Sequence, residues 1–150
     1  MSFAFFCPGT PIGQGSKKVV PTHGGPRAIE DNDAKLRPWR HALVVSALEA
    51  MNGSTMRFTG AVRAEMIFLF RRPKGHYGTG RNAAVVKETA PKYRASKPDA
   101  DKLARAVLDA LTVAGVLMDD RQVVSLGIIK RYAEPHEPEG VRILVDEVEA

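Results

Sequence analysis

Pro98-Asp99-Ala100-Asp101-Lys102-Leu103-Ala104-Arg105-Ala106-Val107-Leu108-Asp109-Ala110-Leu111-Thr112, continuing as Val113-Ala114-Gly115-Val116-Leu117-Met118-Asp119-Asp120-Arg121-Gln122-Val123-Val124, sets the architecture of this chain. Leu103, Ala106, Val107, Ala110, Leu111 and Ala114 fall on one stripe at helical spacing, with Lys102, Arg105, Asp109 and Thr112 away from it. The spacing predicts an amphipathic helix over 101–114. Gly115 suits a left-handed stop. Two strands are expected beyond it, Gln122 to Tyr132 and Gly140 to Val148, joined by an acidic turn from Glu134 to Glu139.

Upstream, Phe58, Val62, Ala64, Met66, Phe68 and Phe70 share one side of an alternating run, while Arg57, Thr59, Arg63, Glu65 and Arg71 occupy much of the other. That is a long, half-buried strand. Leu36, Trp39, Leu43, Ala47, Leu48 and Met51 predict a helix over 35–51, with Pro38 in its first turn and Asn52-Gly53 at its stop. Residues 8–33 are rich in Pro and Gly and read as a long loop or a loosely paired hairpin behind a short apolar opening strand, Phe3 to Phe6. The order is strand, loop, helix, strand, loop, helix, strand, strand. It implies a small single α/β domain over residues 1–150, a mixed sheet covered by two main helices.

Composition supports one globular domain: 44% of the 150 residues are hydrophobic and 26% charged. A chain of this length buries enough surface to fold without disulfides or a structural metal. Its one cysteine, Cys7, reads as a small buried apolar side chain rather than a reactive thiol. With no signal peptide, the setting is expected to be reducing and cytoplasmic. No apolar stretch approaches the ~20 residues of a membrane span. His23, His41, His76 and His136 lack zinc-ligand spacing, and Gly-x-Ser-x-Gly, Walker and dinucleotide motifs are missing.

Charge is uneven. The net is +5, but residues 71–98 hold eight Lys or Arg against one acid, and residues 99–150 hold six against eleven. Such a chain offers a polyanion-binding surface next to a cation-collecting one. The basic segment contains Arg71, Arg72, Lys74, Arg81, Lys87, Lys92, Arg94 and Lys97, interleaved with Tyr77 and Tyr93. Cations neutralise phosphates and aromatic rings stack on bases. A loop this long inside a compact domain is either a binding loop or disordered when free.

The acids form two groups, Asp99 with Asp101 at the mouth of the second helix and Asp119-Asp120 beyond its stop. One reading is a helix cap plus a turn. The other is a set of carboxylates around a divalent ion such as Mg²⁺, which prefers oxygen ligands. The second pair reaches the first only if Val116 to Met118 turns back along the helix or enters a neighbouring strand. Arg105, four residues after Asp101, either pairs with Asp101 or Asp109 on the helix or holds a phosphate oxygen. Lys102 either does likewise or points to water.

Residues 97–131 resemble the RusA family of crossover-junction endodeoxyribonucleases, whose pattern is Asp-x-Asp-Asn-Leu, a basic residue, an Asp-Ala-Leu helix, then Gly, Asp-Asp and a Gln-Val-Val strand start. The resemblance implies a small α/β homodimer that binds four-way (Holliday) DNA junctions and cuts two strands symmetrically with Mg²⁺ or Mn²⁺, in recombination and repair. It carries the metal-binding and catalytic acids onto Asp99, Asp101 and Asp120, with Asp119 beside the third. The family's catalytic lysine falls on Arg105, which keeps the charge but donates no proton at working pH. Lys102 stands where the family has Asn, in a position to meet DNA with the basic loop. Many relatives are encoded by phages or prophages.

Overall fold

The computed structural model describes residues 1–15, 17–30 and 33–149. Along the chain run β1 (Ser2–Pro8), β2 (Lys17–Thr22), β3 (Gly25–Glu30), α1 (Asp33–Met51), β4 (Val62–Phe70), α2 (Ala100–Ala114), β5 (Val123–Tyr132) and β6 (Gly140–Glu147). Four strands make one mixed sheet in the order β1-β6-β4-β5, while β2 and β3 form a separate two-stranded hairpin. β4 and β5 are parallel; the β1–β6 and β6–β4 pairs are antiparallel. Within the 8–33 segment, residues 17–30 form the expected hairpin and residues 9–15 a loop, with 16, 31 and 32 outside the described residues.

Alternation explains the layering. Val62, Ala64, Met66, Phe68 and Phe70 of β4 are buried beneath the helices with Val141, Ile143 and Val145 of β6. α2 meets them with Leu103, Ala106, Val107, Ala110 and Leu111, and α1 adds Leu36, Trp39, Leu43 and Ala47. Gly115 ends α2 at φ 87° and donates its N–H to the carbonyls of Leu111 and Thr112. Pro38 departs from expectation: it lies inside α1 rather than in the first turn, because the helix starts earlier, at Asp33. Its ring removes one backbone hydrogen bond there. Cys7 is buried, as expected, and burial pushes its thiol pKa up.

The alternate residues of the sheet point away from the helices. Ala4, Phe6, Ile67 and Leu144 line a shallow groove on that side with Glu65 and Arg142. Both helices pack on the other side of the sheet, so among the described residues no helix covers this face.

Residues 71–98 fold into a strap along the free edge of β5. Arg94 N–H donates to Lys130 O at 3.0 Å, and Tyr132 N–H to Lys92 O at 2.9 Å. Arg72 Nη1 donates to Pro91 O at 2.8 Å, with its guanidinium 5.4 Å from the centre of the Tyr132 ring. Short 3₁₀ turns at Lys74–His76 and Gly80–Asn82 shape the rest.

The β5–β6 turn is closed by an ion pair. Arg131 donates to both oxygens of Glu137, at 2.6 and 2.8 Å, and Glu134 N–H adds a bond of 2.9 Å. Chiefly through the Arg131 bonds, the Glu137 carboxyl is held down to about 2 from 4.5. A depressed folded-state pKa contributes stability that is complete above pH 4.5 and is lost as pH falls toward 2. Glu137→Gln is expected to cost about 2 kcal/mol at pH 7 and to flatten the acid limb of a melting-temperature series. An acid limb as steep as that of the parent chain would refute this assignment.

Candidate active site

α2 presents the first acid group. Asp99 occupies the N-cap position, yet its side chain makes no capping hydrogen bond and lies 3.5 Å from Lys102 Nζ, with the carboxylate largely exposed. The cap reading therefore fails for Asp99. Asp101 sits in the first turn, exposed. Two cations fix the backbone leading into them: Lys130 Nζ donates to the carbonyls of Ser96 at 2.7 Å and Pro98 at 2.6 Å, and Arg94 Nε to that of Lys97 at 2.8 Å.

The second acid group is placed by the sheet. After Gly115, Phe58 N–H bonds to Val116 O at 3.0 Å, and Leu117 bridges Phe58 in parallel, so this segment enters a neighbouring strand instead of returning along α2. Asp119 then caps a 3₁₀ turn over Asp120–Gln122, accepting from Arg121 N–H at 2.9 Å. Gln122 completes the capping box: its Oε1 accepts from Asp119 N–H at 3.1 Å and its Nε2 donates to Phe58 O and Gly60 O. Gln122, expected to open the strand, instead closes this turn, and Asp119-x-x-Gln122 is a capping-box signature.

These bonds divide the two carboxyls. The Arg121 backbone N–H holds Asp119 below its ordinary pKa. Burial first, then the adjoining Asp119 carboxyl and the charge of Asp109, push Asp120 up. Asp119 thus follows the turn reading, and Asp120 is crowded by like charges.

Asp101, Arg105 and Asp109 follow one another at four-residue intervals on one face of α2. Asp109, whose charge is felt by Asp120, is about 12 Å down the axis from Asp101 at 1.5 Å per residue. Asp99 and Asp101 thus stand at the mouth of α2, and Asp119 and Asp120 in the turn past its stop. Among the described residues, no three His, Cys, Asp or Glu side chains are grouped to hold a metal ion. Their chemistry still suits one, because Mg²⁺ needs only one or two carboxylates and completes its shell with water and substrate phosphate. An acid raised by neighbouring carboxylates is also relieved by a cation.

The segment before β2 packs along the same helix. Gln14 N–H donates to Lys102 O at 2.9 Å, and Gln14 Nε2 donates to Asp109 Oδ2. Arg105 lies over Gly15, where a Cβ would stand 2.5 Å from Nη1. Gln14 is 8% exposed and was not expected here, since nothing in its local sequence marks it.

Arg71, Lys74, Arg81, Lys87, Lys92 and Lys97 are exposed on the strap. Arg94 is half-buried, its guanidinium 4.5 Å from the centre of the Phe70 ring. Arg72 is a correction to the expected DNA-binding set. It is 7% exposed and bonded to Pro91, with Glu134 Oε1 4.0 Å away, so it anchors the strap and is closed to phosphate.

One α/β domain thus carries an acid-bearing helix and a basic strap tied to its mouth by Lys130 and Arg94. The profile of the family described as endodeoxyribonuclease RusA matches residues 8–145, and the chain belongs to that family. It is a family of Holliday junction endonucleases, hydrolases that act on branched DNA. No curated protein matches the chain. No helix of the described residues is long and apolar enough to cross a membrane.

Proposed function

We propose that the protein resolves four-way DNA junctions as a homodimer, making paired symmetric nicks by hydrolysis that depends on Mg²⁺, or Mn²⁺ in its place, in DNA recombination and repair. The observation that carries this reading is the arrangement on α2: acids at its mouth, Arg105 one turn on, and the Asp119–Asp120 turn past its stop. Asp99, Asp101 and Asp120 would hold the ion, with Asp119 shaping the turn that presents Asp120. Bound there, the ion supplies an activated water and relief of charge on the phosphoryl group.

The two acid groups, at the mouth of α2 and past its stop, support sharing between copies. A junction has two-fold symmetry, and a two-fold dimer carries each acid group twice. The mouth of one copy's α2 and Asp120 of the other then form one site. Strap cations hold the flanking phosphates, which makes affinity fall steeply with salt.

The direct test incubates the chain with a labelled four-way junction and matched linear duplex, with Mg²⁺ or with EDTA. Symmetric nicks in the junction alone, abolished by EDTA, are expected; an uncut junction refutes the reading. Arg105 gives a second check. Arg105→Ala is expected to slow single-turnover cleavage about 100-fold, as loss of one charge stabiliser does, while costing under about 1 kcal/mol of stability. A parental rate would make Arg105 an ordinary helical ion-pair residue.

A further inference from the structure

The β2–β3 hairpin has no structural reason to persist on its own. Its strands pair from Lys17 opposite Glu30 to Thr22 opposite Gly25, and among the described residues they contact each other and scarcely touch the other helices and strands. Val19 is 71% exposed, and Pro21, Thr22, His23, Pro26, Arg27 and Ala28 are exposed as well. A two-stranded hairpin without a packed face is marginal in water. Its sequence places Lys17, Lys18 and Arg27 against the single acid Glu30.

Its position is informative. The hairpin springs from Gln14 and Gly15, which are docked on Lys102, Asp109 and Arg105 of the acid-bearing helix. A ligand held by the hairpin is thereby laid across the face of α2 that carries Asp101 and Arg105. Six residues per strand reach about 20 Å at 3.3 Å per residue. A two-stranded ribbon fits the major groove, about 12 Å wide, and its cations suit the phosphates lining it.

We infer that the β2–β3 hairpin is a DNA-binding arm that enters the major groove of one duplex limb of the branched substrate and seats that limb against α2. This rests on the nuclease reading and adds to it a contact outside the strap.

Two variants test it in the full-length chain: Lys17→Gln, Lys18→Gln and Arg27→Gln combined, and replacement of residues 18–29 by a short Gly-Ser link. Binding to a labelled four-way junction is measured across a salt series, with circular dichroism melting and sedimentation alongside. Both variants are expected to bind at least about 10-fold more weakly at 0.1 M salt, with the log–log salt slope reduced by about two to three and melting unchanged. Parental affinity and slope in the triple variant, with junction cutting intact, overturn the arm and leave the nuclease reading standing. A variant altered only in sedimentation also overturns it, because the hairpin then joins a second copy. If the parent chain binds no branched DNA, both readings fall.

Discussion

Asp101→Asn is expected to abolish metal-dependent junction cutting, by at least about 1,000-fold in single-turnover rate, while leaving junction binding unchanged or tighter. The carboxylate is exposed on the first turn of α2, so removing its charge disturbs no buried partner. In the proposed mechanism it removes an oxygen donor for the ion and a negative charge facing phosphate, and metal-assisted hydrolysis without its ion loses most of its barrier lowering. Asp120→Asn should behave in the same way. Mixing the two inactive proteins then reports how the site is built. With acids shared between copies, a mixed dimer carries one doubly altered site and one intact site, so nicking returns. With acids from a single copy, every site in the mixed dimer is defective and the mixture stays silent. Full cutting by Asp101→Asn alone would remove the acid-dependent mechanism altogether.

The second large effect concerns folding. Gly140 begins β6 opposite Pro8 of β1 and Leu69 of β4, at φ 156°. A Cβ there would lie 2.2 Å from the Cys7 carbonyl oxygen and 2.6 Å from the Phe6 ring. Backbone cannot retreat from such a contact without breaking the ladder, so Gly140→Ala is expected to lose more than about 3 kcal/mol. Gly60, with nothing within 4 Å of a would-be Cβ, is the control; Gly60→Ala should stay within about 0.5 kcal/mol. Urea unfolding measures both, and equal midpoints would show that β1 and β6 separate freely at Gly140.

The parts of the fold written in periodicity were legible in advance. α2, β4 and β6 each repeat one side-chain pattern long enough to exclude the alternatives, and Gly115 supplies its own stop. What was not legible depends on partners remote in sequence. Lys130 and Arg72 look like surface cations, but one ties down the backbone before Asp99 and the other is buried against Tyr132 and Pro91, so the strap reads as a loop until β5 lies beside it. The family was legible in residues 97–131, and its profile spans residues 8–145. The spatial placement of the acids was not. Spacing leaves open where Val116 to Met118 leads, and only the Phe58–Leu117 bridge sends it away from the helix mouth.

Among the described residues the helices clothe the sheet on one side only. Apolar area left in water by Phe6, Ile67 and Leu144 contributes about 25 cal/mol per Å² once a like surface covers it. Association that draws on such a surface adds to the free energy of unfolding by mass action. Were the proposed homodimer to close over this face, a diluted copy would melt more readily than the same copy in a crowded population, and expression level itself would help set how firmly the domain holds together.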